Sequence, residues 1–450
     1  MDTIVALATP PGRSALALVR VSGDRSAAFL SSLLGDVTGL PEVRRPTLCT
    51  LTDPLDGQVL DQALVTLFRG PASYTGEDMV EVSTHGGWLT PALIEEAFIG
   101  VGARRAEPGE FTRRAYLSGK LDLVQAEAVL DLIDGQSSGL HRAAIFQLER
   151  GLSSRLADLR TRLIELEAHL AQHIDFPEED EAPMAPASIA AEAEAVAAAL
   201  EELLATAPEG ELLRAGAVTV LAGRPNSGKS SLFNAMLGVE RAIVTEVPGT
   251  TRDALEAMVS LGGFPFRLVD TAGIHETDQR VERLGVEVAR RYVDAADVVL
   301  LCVEAGRPIE EDEEAFAKAL SGRPVVVVRT KADLTDERGH PAGGDDQVLV
   351  SALTGEGLGR LRERLPSLAF QGLVRAGAEV PVLTRKRQAE GVKIALEGVR
   401  AFAEAMKKGV PAELASTHLR PAESALEELL GVIASEDVLD ALFGEFCIGK

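Results

Sequence analysis

Apolar and polar positions change their period along this chain, and the changes mark out its parts. Residues 1–117 alternate short β-like runs with Gly/Pro turns. TIVALAT, ALALVRVSG, QALVTLF and DMVEVSTHGG read as strands, and ALIEEAFI after Pro91 reads as a helix, which predicts a small α+β domain. From Leu121 the period becomes helical. Leu148, Leu152, Leu156, Leu159, Leu163, Leu166, Leu170 and Ile174 recur every three or four residues and draw one apolar stripe on a long helix. The acidic, Pro-containing run DFPEEDEAPMAP interrupts it as a solvated loop, and AAEAEAVAAALEELL resumes it. Between Ala217 and Leu368 strands and helices alternate. FRLVD, ADVVLLCVEA, PVVVVRT and QVLVSA are apolar, β-branched runs of the kind a parallel sheet buries on both faces. After Thr384 the helical period returns in AEGVKIALEGVRAFAEAM, AESALEELLGVI and EDVLDALF. The expected architecture is an N-terminal α+β domain over 1–117 and a discontinuous helical domain over 118–212 and 373–450. A doubly wound α/β domain with a mostly parallel sheet, over 213–372, is inserted between its halves, so the ends of the insert lie close together.

Composition adds exclusions. The 450 residues exceed one ordinary core, and 46% hydrophobic with 25% charged residues fits a globular protein. No apolar run approaches the roughly 18 residues of a membrane span. The start, MDTIVALATPPGRS, lacks the basic and apolar regions of a secretory signal, so a cytoplasmic protein with no membrane partner is expected. Cys49, Cys302 and Cys447 are too dispersed for a disulfide framework or a zinc site. The net charge of −24 is unlike a dedicated nucleic-acid binder, so any RNA contact rests on local patches or on a partner. Two basic runs, Arg104 to Lys120 and Thr384 to Lys393, are patches of that kind, and they read equally well as solvated helix faces.

The chemistry sits in the inserted domain. GRPNSGKS, Gly223 to Ser230, joins the strand-like AVTVLAG to the helix-like SLFNAML, as a phosphate-binding loop requires. Backbone amides around Gly228 cradle phosphates at a helix N-terminus, Lys229 reaches the β- and γ-phosphates, and the Ser230 hydroxyl takes Mg²⁺. With Asn226, Ser227 and Ser231 these residues form the first nucleotide-binding group. Asp270, Thr271, Ala272 and Gly273 (DTAG) follow a strand, with Asp270 placed to hold Mg²⁺ through water and Gly273 to meet the γ-phosphate. Thr330, Lys331, Ala332 and Asp333 (TKAD) follow another. Asp333 accepts from the guanine N1–H and exocyclic amine, a donor pair adenine lacks, so the ligand expected is GTP. The usual Asn of this motif is Thr330 here. Ser351, Ala352 and Leu353 close the base pocket. The segment Thr245, Glu246, Val247, Pro248, Gly249, Thr250 and Thr251 has the place of a switch loop, in which one threonine hydroxyl binds Mg²⁺. Ile274 stands where small GTPases carry a water-orienting Gln. His275, Glu276, Asp278 and Glu282 are the nearby alternatives, no arginine is obviously placed as a finger although Arg252 is near, and Asn226 offers a carbonyl to a monovalent cation.

Taken end to end, the chain resembles the MnmE (TrmE) family of tRNA-modification GTPases. The likeness is carried by DTIVALATPPGRSALALVRVSG, YTGEDMVEVSTHGG, EFTRRAYLSGKLDLVQAEAVLDLID, GRPNSGKSSLFNAMLG, PGTTRD, RVERLGVEVA and the closing SEDVLDALFGEFCIGK. The resemblance implies a cytoplasmic homodimer that works with an FAD-dependent partner subunit, MnmG, in a heterotetramer or larger complex. Together they act on tRNA, adding a carboxymethylaminomethyl-type group to C5 of the wobble uridine. The one-carbon donor implied is a tetrahydrofolate derivative, in its 5-formyl or 5,10-methylene form. By motif, Arg20, Glu81, Lys120 and Lys450 resemble the folate-binding set. Asn226, Thr245, Val247 and Thr250 resemble K⁺ ligands, and Ser230 and Thr251 resemble Mg²⁺ ligands. Among the four alternatives near Ile274 the resemblance selects Glu282 as the catalytic residue. It also links Cys447 to the modification step, although a lone Cys in such a run is more often a small buried hydrophobe.

Overall fold

The computed structural model describes residues 2–34, 39–175, 186–239, 255–271, 291–320, 322–335, 347–376 and 381–450. They form two compact units, Met1–Leu130 with Glu427–Lys450, and Asp131–Leu426. Among the described residues no helix is long and apolar enough to cross a membrane.

The nucleotide-binding motifs lie in the second unit, on a six-stranded sheet. Its strands are β7 (Ala217–Ala222), β8 (Leu255–Leu261), β9 (Phe264–Asp270), β10 (Val298–Glu304), β11 (Val325–Thr330) and β12 (Gln347–Leu349), in the order β12-β11-β10-β7-β9-β8. All neighbours pair parallel except β8 and β9, which form an antiparallel hairpin at the edge. Every residue of β7 is buried, as a strand covered on both faces requires. The chain leaves β7 toward β9 on one side and returns to β10 on the other. The C-terminal end of β7 is therefore the switch point where an open α/β sheet binds its ligand.

Helices frame this sheet as the changing period predicts, with one difference. The stripe that begins at Leu148 is carried by two helices, α5 (Ser138–Leu148) and α6 (Gly151–Asp175), because Arg150 between them takes a φ of 69° and breaks the helical path. α7 (Pro186–Leu204) packs along the helix Lys386–Lys407. Glu194 pairs with Lys407 and Glu201 with Arg400, so equal steps run in opposite directions and the two helices are antiparallel. The chain thus returns onto the helix it left before the sheet. The ends of the insert meet through α8 (Ala207–Ala215). The Glu209 carboxylate accepts from the amides of Gly372 and Leu373, both at 2.7 Å, and Thr206 Oγ1 accepts from the Leu383 amide at 3.1 Å. A buried pair, Arg385 with Asp131 at 2.6 Å, fixes the re-entry into the helical part.

In the first unit, β1 (Ile4–Leu7), β2 (Gly12–Ser22), β3 (Thr47–Thr52), β4 (Val59–Phe68), β5 (Met79–Gly87) and β6 (Arg104–Arg105) form a second sheet, ordered β3-β4-β5-β2-β1-β6. One face buries Val19, Val21, Val65, Val80 and Val82 against α1 (Ser26–Leu33) and α2 (Leu89–Gly100). On the other face Leu48 and Leu64, opposite each other in register, are exposed, as is Leu16. The closing helix Glu436–Gly444, capped by the Ser435 hydroxyl, packs in this unit rather than with the remainder of 373–450. Its Phe443, together with Phe446, meets Leu123, Ala126 and Leu130 of α4 (Leu123–Asp134). Arg113 of α3 (Glu110–Leu117) pairs with Glu436 and Asp440, and the Tyr116 hydroxyl donates to the Gly431 carbonyl at 2.6 Å.

The two basic runs are spent internally. Arg104 holds Asp2 and Glu110, Arg105 holds Glu95 and Glu96, and buried Arg114 holds Asp2, Glu77 and Glu110. In the second run Arg385 holds Asp131, Lys386 faces Glu211 and Lys393 faces Glu397. They therefore fit the solvated or structural reading and not a free RNA-binding patch.

Hydrogen bonds from Arg104, and then Arg114, bring the Asp2 carboxyl from 3.8 down to about 2, against a smaller opposing effect of burial. A depressed carboxyl contributes stability above its unfolded value and loses it as the pH falls through the folded one. Asp2→Asn is expected to destabilise the first unit at pH 7, by under about 1 kcal/mol because Asp2 is half-exposed. The difference should vanish as the pH is lowered through about 2. Denaturant unfolding of parent and variant at several pH values measures it; an undiminished difference at the acid end would refute this account.

Candidate functional site

The loop at the end of β7 is shaped by two glycines and an asparagine. Gly223 has a φ of 140°, and a Cβ there would stand 2.4 Å from the Cys302 carbonyl oxygen of β10. Asn226 sits in the left-handed region at φ 62°, which Asn tolerates better than most residues. Gly228 has a φ of 89°, and a Cβ there would press on Thr330. Lys229 then opens α9 (Lys229–Val239). Its ammonium is nearly buried and donates to the carbonyls of Gly223 at 2.9 Å and Arg224 at 2.8 Å. Burial pushes it below the ordinary lysine value, while the nearby Cys302 and Asp270 act the other way. Cys302 is itself fully buried and its thiol is pushed up to about 12, so it stays a neutral packing residue under the loop.

Asp270, buried at the end of β9, and Lys229 lie close enough to interact electrostatically, and the Thr271 hydroxyl ties that strand end to the Leu221 carbonyl of β7 at 2.8 Å. Ser230, in the first turn of α9, is exposed. The base-reading motif lies at the ends of β11 and β12. The Ser351 hydroxyl donates to the Asp333 carboxylate at 2.6 Å and receives the Thr354 amide at 3.1 Å, which orients the carboxylate. Lys331, at φ 57°, is held by Glu304 at 3.0 Å. Gly228, Ser231, Thr330, Lys331, Asp333, Ala352 and Leu353 share the lining of one pocket of ≈ 140 Å³ with Leu232 and Val350. The phosphate loop and the two base motifs, distant in sequence, thus meet around one cavity.

Thr330 joins the two halves. Its hydroxyl donates to the Ser227 carbonyl at 2.6 Å, so the residue that replaces the usual Asn binds the base motif to the phosphate loop. With its single hydrogen engaged there, it has none left for the base. Sequence reasoning identified Thr330 as a departure; the tether becomes visible only when β7 and β11 lie on either side of β10. It missed Glu304 as the partner of Lys331, and missed Arg224, whose side chain leaves the loop for Glu310 and Asp312. Thr245, Glu246, Val247, Pro248, Gly249, Thr250, Thr251, Arg252, Ala272, Gly273, His275, Glu276, Asp278 and Glu282 lie outside the described residues.

The first unit carries a separate cluster. Arg20 on β2 stands opposite Glu81 on β5 in the strand register. The guanidinium donates to the carboxylate through Nε at 3.0 Å and Nη2 at 2.7 Å, and reaches the Gly449 carbonyl at 3.3 Å. It also lies over the rings of Tyr74 and Phe111, 5.3 and 5.7 Å from their centroids. The C-terminal run threads this place: the Phe111 amide donates to the Lys450 carbonyl at 3.2 Å and the Gly109 amide to that of Cys447 at 3.4 Å. Burial, and then Arg20, push the Lys450 ammonium down, while Glu81 opposes. Arg20, Glu81 and Lys450 are therefore brought together. Lys120 donates instead to the Pro71 carbonyl at 3.0 Å, and among the described residues no hydrogen bond or ion pair joins it to the other three. Cys447 is an exposed free thiol, not the buried hydrophobe its surroundings in sequence suggest.

The doubly wound sheet, its loop at the switch point and a carboxylate set to read guanine define a P-loop GTPase. The family described as "MnmE helical domain" matches residues 123–447, and the one described as "GTP-binding protein TrmE N-terminus" matches residues 3–120. The tRNA modification GTPases MnmE of Moorella thermoacetica and Geobacillus thermodenitrificans are each 39% identical to this chain, and alignment covers 100% of it and 99% of each relative. That of Chloroflexus aurantiacus is 40% identical over 100% of both chains. The chain belongs to the MnmE family of tRNA-modification GTPases.

Removing the Thr330 tether tests the built pocket. Thr330→Val keeps the shape and deletes one hydrogen bond, worth a net ~0.5–1.5 kcal/mol. Guanine nucleotide affinity should fall by about two- to tenfold, and Thr330→Ser should keep it. Titration with a fluorescent GDP analogue decides; unchanged binding by Thr330→Val would remove the tether from the account.

Proposed function

We propose that this GTPase is the nucleotide-hydrolysing subunit of a cytoplasmic tRNA-modifying complex. In this reading it adds a carboxymethylaminomethyl-type group to C5 of the wobble uridine, with one carbon from 5-formyl- or 5,10-methylene-tetrahydrofolate. The observation that carries the reading is the coexistence, in one chain, of the guanine-reading loop and the Arg20–Glu81–Lys450 cluster built from both ends of the first unit. The cluster suits a folate. Burial, and then Arg20, push the Lys450 ammonium down, so an anionic tail would relieve it. Glu81 is the acceptor for a pterin edge. When bound there, the folate supplies the one-carbon unit. The domains proposed are 1–117 for folate binding and dimerisation, 118–212 and 373–450 for the helical part, and 213–372 for GTP. A homodimer has support in the exposed Leu16, Leu48 and Leu64 on the open sheet face. An FAD-dependent partner subunit, MnmG, is proposed to act with it.

For hydrolysis, Lys229 exchanges its two carbonyl partners for the β- and γ-phosphates, which compensates its buried charge. Asp333, oriented by Ser351, selects guanine. Ser230 at the start of α9 and buried Asp270 at the end of β9 offer oxygen ligands of the kind Mg²⁺ takes, with Thr251 proposed to complete the set. Exposed Asn226, held in its left-handed turn, fits a K⁺ ligand, with Thr245, Val247 and Thr250 as the others. When bound, the two cations would set positive charge against the negative charge that develops in the transition state. Glu282 is proposed to orient the water that attacks the γ-phosphorus.

GTP turnover should be faster in K⁺ than in Na⁺ buffer, and Asn226→Ala should abolish the difference while GDP still binds. Equal slow rates in both buffers would instead favour a nonenzymatic switch. At the level of the cell, deleting the gene should remove the modified wobble uridine from bulk tRNA, as read by nucleoside analysis. The parent gene should restore it and Arg20→Ala should not. Full modification in the deletion strain would overturn the assignment.

A further inference from the structure

We infer that Arg224 shields the phosphate site from an acidic helix terminus, acting through the carboxylates it neutralises. The helix Glu311–Ala319 begins in five consecutive acids, Glu310 to Glu314. Arg224, the second residue of the phosphate loop, pairs closely with two of them, and its Nε lies 3.9 Å from a Glu313 oxygen. Its Nη1 lies 2.6 Å from a Glu310 oxygen and its Nη2 is 2.8 Å from both oxygens of Asp312. The Arg224 carbonyl meanwhile accepts from Lys229 at 2.8 Å. One residue therefore touches the acidic terminus with its side chain and the phosphate-binding lysine with its backbone. The helix has uses of its own for its acids: Glu310 and Glu313 form a capping box, and Arg307 binds both, at 2.9 and 2.5 Å. Asp312 takes no part in the box, and its partner is Arg224. Hydrogen bonding to Arg224 holds the Asp312 carboxyl below its usual range, so it is ionised at neutral pH.

The consequence follows from distance. These carboxylates lie within one arginine side chain of the loop that must receive GTP, and a charge at ~10 Å is only partly screened at physiological salt. Uncovered, each would weaken binding by at most about twofold per phosphate charge in a water-like medium at low salt, and by less as salt screens it. The shield matters in a chain with a net charge of −24, which has little positive field to spare. A purely mechanical role, in which Arg224 only clamps the loop to the helix, would use the same contacts. The two roles differ in what happens when the acids are removed as well.

The test is binding of fluorescent GDP and GTP analogues to the full chain at constant K⁺ and Mg²⁺, with ionic strength raised by tetramethylammonium chloride. Arg224→Gln should lose about three- to tenfold in affinity at low salt, with most of the loss disappearing at high salt. Adding Glu310→Gln and Asp312→Asn to Arg224→Gln should return affinity to the parent's. Asp312→Asn alone, which keeps the arginine, should bind at least as tightly as the parent. A loss that persists in the triple variant or at high salt, weaker binding by Asp312→Asn alone, or no loss in Arg224→Gln would each overturn the shield. Failure of the parent to bind would strike the nucleotide site itself, and is read separately in the same titration.

Discussion

The nucleotide unit depends on one position where a side chain cannot stand. Gly223 leaves β7 with its backbone pressed on the Cys302 carbonyl of β10, closer than any Cβ could come. That approach lets the loop fold back on itself, so that Lys229 reaches the Gly223 and Arg224 carbonyls and the Ser227 carbonyl faces the end of β11. Thr330 can then tie loop to base motif, and Asp333 is set one short turn further on. A larger residue at Gly223 would move the loop off the sheet and separate the phosphate-binding lysine from the guanine-reading carboxylate. Neutral Cys302 under the loop belongs to the same constraint, because a packed apolar floor holds the glycine in place.

Much of this was legible in the chain. The parallel strands stood out by their apolar, β-branched runs, and β7 and β10 are buried along nearly their whole length, which leaves few polar positions to confuse the period. β8 was not legible. LEAMVSL is half-buried and pairs antiparallel at the sheet edge, so neither a continuous run nor a clean alternation marks it. β3 hid for a related reason: TLCTLT buries only Cys49 and Leu51 and fills its open positions with threonine and an exposed leucine. Helical period predicted the closing helix but not its company. Its place in the first unit is decided by Phe443 and Phe446 against α4 and by Arg113, contacts between residues more than three hundred positions apart. Of the residues the motifs named, Gly228, Ser231, Thr330, Lys331, Asp333, Ala352 and Leu353 line one pocket. Arg224 and Glu304 escaped because a motif records which residues meet the ligand, and these two meet only other side chains.

Charge explains why the sites are so localised. A strongly acidic chain that handles GTP, and on the present proposal folate and tRNA, has to confine its positive charge to places where an anion will sit. Arg104, Arg105, Arg113 and Arg114 do not serve that purpose, since each is held by two or more carboxylates of its own unit. Lys229 and Lys450 are different. Both are pushed down by burial, and each gains most from an incoming anion, because the anion replaces solvent that the fold has removed. Nucleic-acid binding draws its strength from many phosphate contacts and released counterions, which two buried ammonium groups cannot provide. Lys229 and Lys450 are therefore suited to small anionic ligands rather than to a long phosphate backbone.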